Sequence, residues 1–166
     1  FESADFHVED GGTLIVDARG DSRVSRAFAL MLAGRVAPTD GKLRVGGHLL
    51  PGRAAWVRGH VGVALLNDAE DSAREMRRAL AGKARIVVID GLDTLEGAGR
   101  DQVSAVLRDA ASALSVPLTV VAVVRRDGPA LAVLAEAHRS SVTTLTLTAV
   151  APVITPSETT PSEVTA

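Results

Sequence analysis

The segment from Gly11 to Gly47 constrains the fold of this chain more than any other part of its sequence. A glycine turn opens it, and the apolar run from Thr13 to Ala18 has the β-branched residues typical of a buried strand in a parallel sheet. A polar loop follows, and Ser22 is the predicted N-cap of a helix. This order of strand, loop and helix aims backbone N–H groups and the positive end of a helix dipole at one point, which suits a phosphate group.

The predicted helix has an apolar stripe and a defined end. The stripe has the i, i+3, i+4 spacing of a helix that packs on a sheet. Its members are Val24, Ala27, Phe28, Met31 and Leu32. Gly34 is the expected C-terminal stop, and Pro38 lies just beyond it.

Residues 12–47 resemble, without a gap, the opening of an ATP-binding cassette (ABC) transporter ATPase. The matching parts are Gly-Thr-Leu-Ile-Val in the strand, Met-Leu-Ala-Gly at the end of the helix, and Pro-Thr-Asp-Gly-Lys-Leu-Arg-Val-Gly-Gly from Pro38 to Gly47. The last of these is the most specific. The resemblance implies a P-loop NTPase fold, with ATP and Mg²⁺ as cofactors.

The phosphate-binding loop itself departs from the pattern of that family. Three glycine positions of the family's loop are occupied by Arg19, Ser22 and Val24. Ser25 occupies the position of the lysine, and Arg26 and Ala27 occupy those of the two hydroxyl residues. The family's loop needs glycines so that amides can wrap the phosphates, a lysine on the β and γ oxygens, and a hydroxyl on Mg²⁺. The chain has only two lysines, and neither precedes Ser or Thr.

The resemblance still implies a set of residues around the phosphates. These nucleotide-binding candidates are Gly20, Ser22, Arg23, Ser25 and Arg26. Arg23 or Arg26 could replace the missing lysine as the phosphate cation, since a guanidinium fork can hold a phosphate. The alternative is that both arginines are solvated on the outer face of the helix.

The run from Val61 to Leu66 resembles the strand before the family's Q-loop, with Leu66 or Asn67 in place of the glutamine. Family members next insert a long helical subdomain that contains a Ser-Gly-Gly signature. Here a short acidic loop leads directly to a helix with a Ser72/Glu75 capping box and a stop at Gly82. The chain contains no Ser-Gly-Gly, so we expect the helical subdomain to be largely missing.

The run from Arg85 to Asp90 resembles the family's Walker B strand. An acid at the carboxyl end of a parallel strand can hold a hydrated Mg²⁺, so the resemblance implies Asp90 as the metal ligand. A turn-capping aspartate before a glycine is the alternative role. Gly91 stands where the family has the glutamate that polarises water, and Asp93 and Glu96 are offset from that position. No catalytic residue is therefore predicted.

The rest of the sequence continues the alternation of strands and helices. We expect a helix from Asp101, an apolar strand from Pro117 to Val124, a helix from Pro129 to about Ala137, and a strand from Val142 to Thr148. Arg125 takes the place of the family's switch histidine. The alternation predicts a three-layer α/β domain with a mostly parallel sheet. Residues 1–148 form the expected degenerate ABC-type core, and residues 149–166 an expected disordered tail rich in Pro, Thr and Ser.

Composition excludes several classes of function. A formal charge of −2 and few aromatic residues leave no basic footprint or stacking surface for nucleic acid. The absence of cysteine excludes disulfides and thiolate metal sites. No apolar run has the length that a membrane span needs. Because the chain starts with Phe1 close to the first strand, we expect part of the natural N-terminus to precede it.

Three functions stay open from the sequence. The resemblance implies a cytoplasmic cassette subunit that acts with a membrane permease and could dimerise with itself or another cassette. Without the lysine and the glutamate, we expect it to hydrolyse little or no ATP. The alternative is a non-catalytic pseudo-ATPase that keeps the fold as an interaction module. The third is an unrelated small nucleotide-fold enzyme such as a dinucleotide binder, although no Gly-x-Gly-x-x-Gly follows the first strand.

Overall fold

A computed structural model describes residues 6–82, 84–125, 130, 132–134 and 142–147. The strands within these residues are β1 (Thr13–Asp17), β2 (Leu43–Val45), β3 (His48–Leu50), β4 (Val61–Leu65), β5 (Ile86–Asp90), β6 (Thr119–Val124) and β7 (Val142–Thr146). The helices are α1 (Ser22–Leu32), α2 (Ala54–His60), α3 (Ser72–Ala79) and α4 (Gly97–Ala113). Short 3-10 turns, Leu66–Asp68 and Leu92–Thr94, follow β4 and β5. Residues 130 and 132–134 are also helical.

Five strands form one sheet in the order β4-β5-β6-β1-β7, and β2 and β3 form a separate antiparallel hairpin. Every pairing described in the five-stranded sheet is parallel. β1 lies between β6 and β7, with Thr13 opposite both Val120 and Val142. A parallel sheet needs cover on both faces, which explains why β1, β4, β5 and β6 are nearly continuous apolar runs. β7, at the edge of the sheet, is rich in Thr and mostly exposed.

Helices cover both faces of the sheet, so the domain has three layers. Successive residues along a strand point to opposite faces. Leu14 and Val16 of β1 pack with α1, α2 and the hairpin, whereas Ile15 packs with α3, α4 and the helical residues around 133. The three-layer α/β fold predicted from the sequence is therefore confirmed.

Helix α1 is capped at both ends, but its N-cap is not the predicted residue. The prediction of Ser22 was wrong, because the carboxylate of Asp21 accepts hydrogen bonds from the amides of Arg23 and Val24. At the other end, Gly34 has a φ of +67°, which matches its predicted role as the helix stop. These two residues fix the length and the position of α1 above the sheet.

The face of α1 that packs on the sheet is rotated from the predicted stripe. The fully buried residues of α1 are Ser25, Phe28, Ala29 and Leu32. Ala27 is exposed, and Val24 and Met31 are only partly buried. The rotation turns the Ser25 side chain inward, toward the sheet.

Three other elements differ from the sequence prediction. Asp71 caps α3 in place of Ser72, and its carboxylate accepts from the amide of Arg74 at 2.8 Å. Helix α4 begins at Gly97, earlier than the predicted start at Asp101. Helix α2 was not predicted, because its one buried residue, Val57, leaves no periodic pattern.

The connection from β4 to β5 consists, in its described part, of one short turn and α3. The long helical subdomain is therefore largely missing, as the sequence predicted. The predicted tail, 149–166, and both predicted ends of the helix after β6 lie outside the described residues. Among the helices that the structure describes, none combines the length and the apolar character that crossing a bilayer requires.

Trp56 joins α2 to the hairpin. Its ring lies between the imidazoles of His48 and His60, with ring centroids 3.7 Å and 4.0 Å away. The rings of Trp56 and His60 are stacked, with only 7° between their planes. Two of the three aromatic groups belong to α2 and one to β3, so the stack fixes the hairpin against this helix.

Gly62 is where β4 and α3 approach each other most closely. A Cβ atom on Gly62 would lie 1.8 Å from the carbonyl oxygen of Ala79, a backbone atom that cannot turn away. Gly62→Ala is expected to lower the free energy of unfolding by roughly 1–3 kcal/mol or more, because α3 must shift to admit a methyl group. Urea denaturation measures this change.

Gly59→Ala is the matched control for this prediction. A Cβ atom at Gly59 meets no other atom within 4 Å, and alanine favours the helical conformation of α2. We expect Gly59→Ala to be neutral or slightly stabilising. Equal destabilisation by the two substitutions would contradict the close contact between β4 and α3.

Candidate functional site

The carboxyl ends of β1, β5 and β6 meet at one edge of the sheet, where residues 18–21 connect β1 to α1. Helix α1 covers one face of the sheet, and the helical residues after β6 cover the other. β1 and β6 are neighbours in the sheet, and the chain leaves them toward opposite faces. Ligands of open α/β sheets bind at such a point, so the fold places the predicted loop at the expected position for a ligand.

The amides of this loop are already hydrogen-bonded within the protein. The amide of Arg19 donates to Oδ1 of Asp17 at 2.8 Å, and that of Gly20 donates to the carbonyl oxygen of Arg125 at 3.0 Å. The amide of Asp21 donates to the carbonyl oxygen of Ala18 at 3.1 Å. These three donors are therefore not free to receive a phosphate.

The first turn of α1 is satisfied in the same way. Oδ1 of Asp21 accepts from the amides of Arg23 at 2.8 Å and Val24 at 3.2 Å, and the Asp21 carbonyl oxygen accepts from the amide of Ser25 at 3.0 Å. The carboxylate of Asp21 thus lies where a helix N-terminus would otherwise attract an anion. Asp17 adds a second carboxylate beside the loop, so a phosphate would meet like charges as well as occupied amides.

Ser25 and Asp90 form a buried polar pair beneath the loop. Ser25 is 0% exposed and Asp90 is 3% exposed, and the Ser25 hydroxyl donates to Oδ1 of Asp90. In P-loop NTPases a loop hydroxyl and a Walker B aspartate hold Mg²⁺ together. The structure therefore places Ser25 as the hydroxyl partner of the aspartate, whereas the sequence comparison aligned it with the lysine.

The environment of Asp90 works against a charged carboxylate. Burial raises the pKa of Asp90 above its usual range, and hydrogen bonds from Ser25 and Asn67 oppose this rise, as do the charges of Arg26 and Arg125. Because burial is the largest effect, the neutral form of Asp90 is favoured more here than in water. In the described part of the chain, no group of three or more His, Cys, Asp or Glu side chains could hold a metal ion.

The two arginines nearest to the site are paired with other side chains. Nη2 of Arg26 donates to Asp68 in the turn after β4. Nη2 of Arg125 donates to Oδ1 of Asn67 at 3.1 Å, and its amide donates to Oδ2 of Asp93 at 3.3 Å. Arg125 therefore joins the ends of β4, β5 and β6 through contacts within the chain.

Gly91 has a role in this network that the sequence did not reveal. Its φ is +88°, and a Cβ atom at this position would lie 2.5 Å from the side-chain atoms of Asn67. A glutamate at residue 91 would therefore displace Asn67 from its contacts with Asp90 and Arg125. The glycine that stands in place of the water-polarising residue allows Asn67 to pack in the site.

A small cleft remains next to the loop. It has a volume of about 290 Å³ and is lined by Gly20, Asp93, Thr94, Glu96 and Arg125. Oδ1 of Asp93 is buried there without a hydrogen-bond partner. The cleft has carboxylates on its wall, and its one guanidinium, that of Arg125, already donates to Asn67. The residues present do not fit a nucleoside triphosphate at this edge of the sheet.

The structure brings some of the predicted site residues together and separates others. Ser25 and Asp90 are in contact, Gly20 lines the cleft, and Arg26 is bound to Asp68. Ser22 and Arg23 are exposed at the start of α1. Asp17, Asp21 and Asp93 were missed as site residues. The N-cap preference of aspartate could have identified Asp21, whereas the contacts of the other two depend on the folded loops.

Comparisons with known proteins identify the fold. A solved bacterial ABC transporter cassette, MJ0796, described as a dimeric structure, is similar to this chain with a TM-score of 0.57. The two share 11% identity, and the match covers 85% of this chain and 84% of that one. No family model matches the chain, and no curated protein matches it at a significant level. The chain therefore has an ABC-cassette-like α/β fold.

The cap on α1 gives a first prediction for the site. Asp21→Ala is expected to lower the free energy of unfolding by about 1 kcal/mol, because the amides of Arg23 and Val24 lose their acceptor. Asp21→Ser keeps a cap oxygen without the charge and should recover most of that loss. Urea denaturation of the three proteins tests this. If serine is as destabilising as alanine, Asp21 does not act as a cap.

The buried carboxylate gives a second prediction. The pKa of Asp90 is raised in the folded protein, whereas in the unfolded chain it is about 4. The contribution of Asp90 to the free energy of unfolding therefore falls as the pH rises from about 4 through the folded pKa. Asp90→Asn removes the charge and keeps an oxygen for the Ser25 hydroxyl. The free energy of unfolding of this variant, relative to the parent, should increase over that pH range and then level off.

Urea denaturation between about pH 4 and pH 8 measures this difference. Asp109→Asn, at an exposed position of α4, is the control, because it removes a carboxylate that is not buried. A relative stability of Asp90→Asn that stays constant with pH, or that falls, would contradict a raised pKa for Asp90.

Proposed function

We propose that this chain is a non-hydrolysing ABC-cassette-like protein that acts through its surfaces and not through ATP turnover. The observation that carries the proposal is the loop between β1 and α1, whose amides are bonded to Asp17, Asp21 and neighbouring carbonyl groups. A phosphate would have to displace these acceptors. It would also approach two carboxylates without a lysine to neutralise its charge.

The residue directly after Asp90 supports the same proposal, because it supplies no side chain to activate water. Phosphoryl transfer depends almost wholly on positioning and electrostatic stabilisation. Residue 91 is glycine, and Asp93 accepts a hydrogen bond from the amide of Arg125. Glu96 precedes α4 and is exposed. Neither carboxylate belongs to the residue directly after Asp90, so little or no hydrolysis is expected.

The partner in this proposal is a membrane permease subunit. It follows from the resemblance of residues 12–47 and 85–90 to ABC ATPases and from the shared fold. In this proposal the chain lies on the cytoplasmic side of the membrane, bound to the permease, and could pair with a second cassette. The missing helical subdomain limits it to contacts made by the core domain.

An ATP-binding subunit is the second candidate, because one observation favours it. The Ser25 hydroxyl and the Asp90 carboxylate form the pair of groups that P-loop NTPases use for Mg²⁺. If Asp21 moved away from the first turn of α1, these two groups would lie beneath a free helix N-terminus. A pseudo-ATPase and an ATP-binding subunit differ in whether Mg-ATP stabilises the folded protein.

A thermal-shift titration with Mg-ATP separates the two candidates. A nucleotide at 100 times its Kd would add about 2.7 kcal/mol to the free energy of unfolding, which is readily detected. We expect no saturable, Mg²⁺-dependent rise in Tm. Such a rise would refute the pseudo-ATPase, and a rise with NAD alone would refute both cassette functions.

A variant in which the carboxylates of Asp17 and Asp21 are both replaced by neutral groups is the matched control. Asp17→Asn combined with Asp21→Ser removes the charges and keeps a cap on α1. A response to Mg-ATP that appears only in this double variant would show that the two aspartates block the loop. Co-purification with the membrane protein encoded beside this chain tests the proposed partner.

A further inference from the structure

A second polar cavity lies at the other end of the sheet, beside the start of β4. It has a volume of about 170 Å³, and the residues that line it include Arg35, Arg58 and Arg78 as well as Gly59 and Gly62. Arg35 follows α1, Arg58 belongs to α2 and Arg78 to α3. Three arginines from three separate segments of the chain therefore border one small space.

The charge around this cavity is only partly balanced. Nε and Nη2 of Arg78 donate to the carboxylate of Glu75 at 3.0 and 2.8 Å, and Nη1 of Arg58 donates to the carbonyl oxygen of Gly34 at 3.0 Å. Within the described part of the chain, the Arg35 guanidinium has no hydrogen-bond partner. Glu75 is the nearby acid, and its pKa is lowered chiefly by its hydrogen bond with Arg78. Glu75 thus interacts with two of the three arginines and does not itself line the cavity, although the whole chain has a formal charge of −2.

Backbone contacts position the Arg58 side chain and the helix that carries Arg78. Arg58 is held by the carbonyl group of Gly34, the residue that ends α1. Helix α3, which carries Arg78, is held against β4 by the close approach of Ala79 to Gly62. A cleft lined by charge of one sign concentrates the electric field and attracts the opposite charge. The cavity is thus arranged to receive an anion.

The size of the cavity and the type of donor narrow the class of anion. Pockets for drug-sized ligands have about 300–1,000 Å³, so a cavity of about 170 Å³ suits one small group and not a whole nucleotide. Guanidinium forks match the oxygens of phosphate and carboxylate groups. Donors that approach from three elements suit a tetrahedral dianion better than a planar monoanion. We propose that Arg35, Arg58 and Arg78 bind a phosphate group, either free or carried by a lipid headgroup.

Titration with inorganic phosphate at constant ionic strength, followed by the thermal unfolding of the full chain, tests this proposal. The key variant is Arg35→Gln, because the Arg35 side chain is exposed and no described residue depends on it for a hydrogen bond. Arg77→Gln is the matched control. Arg77 is exposed on α3 next to Arg78, does not line the cavity, and its replacement changes the net charge equally.

We expect a saturable rise in Tm with phosphate in the parent and in Arg77→Gln. Arg35→Gln should weaken phosphate binding roughly three- to tenfold, as expected for the loss of one partly exposed charged partner. The double variant Arg35→Gln, Arg78→Gln should abolish the response. Absence of a saturable response in the parent, or equal weakening by Arg77→Gln and Arg35→Gln, would overturn the proposal.

Vesicle flotation distinguishes the two sources of phosphate. Binding to phosphatidic acid vesicles but not to phosphatidylcholine vesicles, with loss in Arg35→Gln, would assign the cavity to a headgroup. A response to inorganic phosphate without vesicle binding would assign it to a free phosphate compound. A rise in Tm with Mg-ATP that Arg35→Gln removes would likewise belong to this cavity, whereas one that it leaves intact would belong to the loop after β1.

Discussion

The amides at the start of a helix need hydrogen-bond acceptors, and the arrangement of the loop before α1 depends on which group accepts from them. That acceptor is the carboxylate of Asp21, with Asp17 occupying the neighbouring loop amide. A P-loop leaves such amides for the phosphates of its ligand. Here the helix start has its acceptors within the chain, so the strand, loop and helix stay in place without a ligand.

The altered motif residues at this edge are physically connected. Asn67 bonds to Asp90 and Arg125, and Gly91 leaves the space that Asn67 fills. Arg125 extends the connection to Asp93. In sequence these positions resemble separate losses of function. In the structure they form one polar network in which most charged groups have a partner in the same chain, which is what a buried polar site needs for stability.

The sequence could predict the parallel sheet because burial on both faces leaves long apolar runs such as Thr119–Val124. It could not place α2, which buries a single residue, or the start of α4, where Gly97 gives no helix signal. Ser22 was preferred to Asp21 as the cap because both residue types cap helices and the sequence does not distinguish adjacent candidates.

The site was predictable to a similar extent. Asp90 at a strand end and Ser25 near a helix start could each be named, but their contact depends on the rotation of α1 about its axis. The preference of aspartate for the N-cap could have predicted that the Asp21 carboxylate lies at the start of α1. The sequence could not predict the group of arginines near β4, because residues 35, 58 and 78 are far apart in sequence and come together only in the folded chain.

The stack of Trp56 between His48 and His60 gives this protein a built-in optical probe. Trp56 is the one tryptophan in the chain, so its fluorescence comes from a single position. That position belongs to the contact between the hairpin and α2, at the border of the core on this face of the sheet. Emission from Trp56 therefore reports on the docking of the hairpin, whereas far-ultraviolet circular dichroism follows the secondary structure of the whole domain. Disagreement between the two signals would reveal that the hairpin undocks before the sheet unfolds.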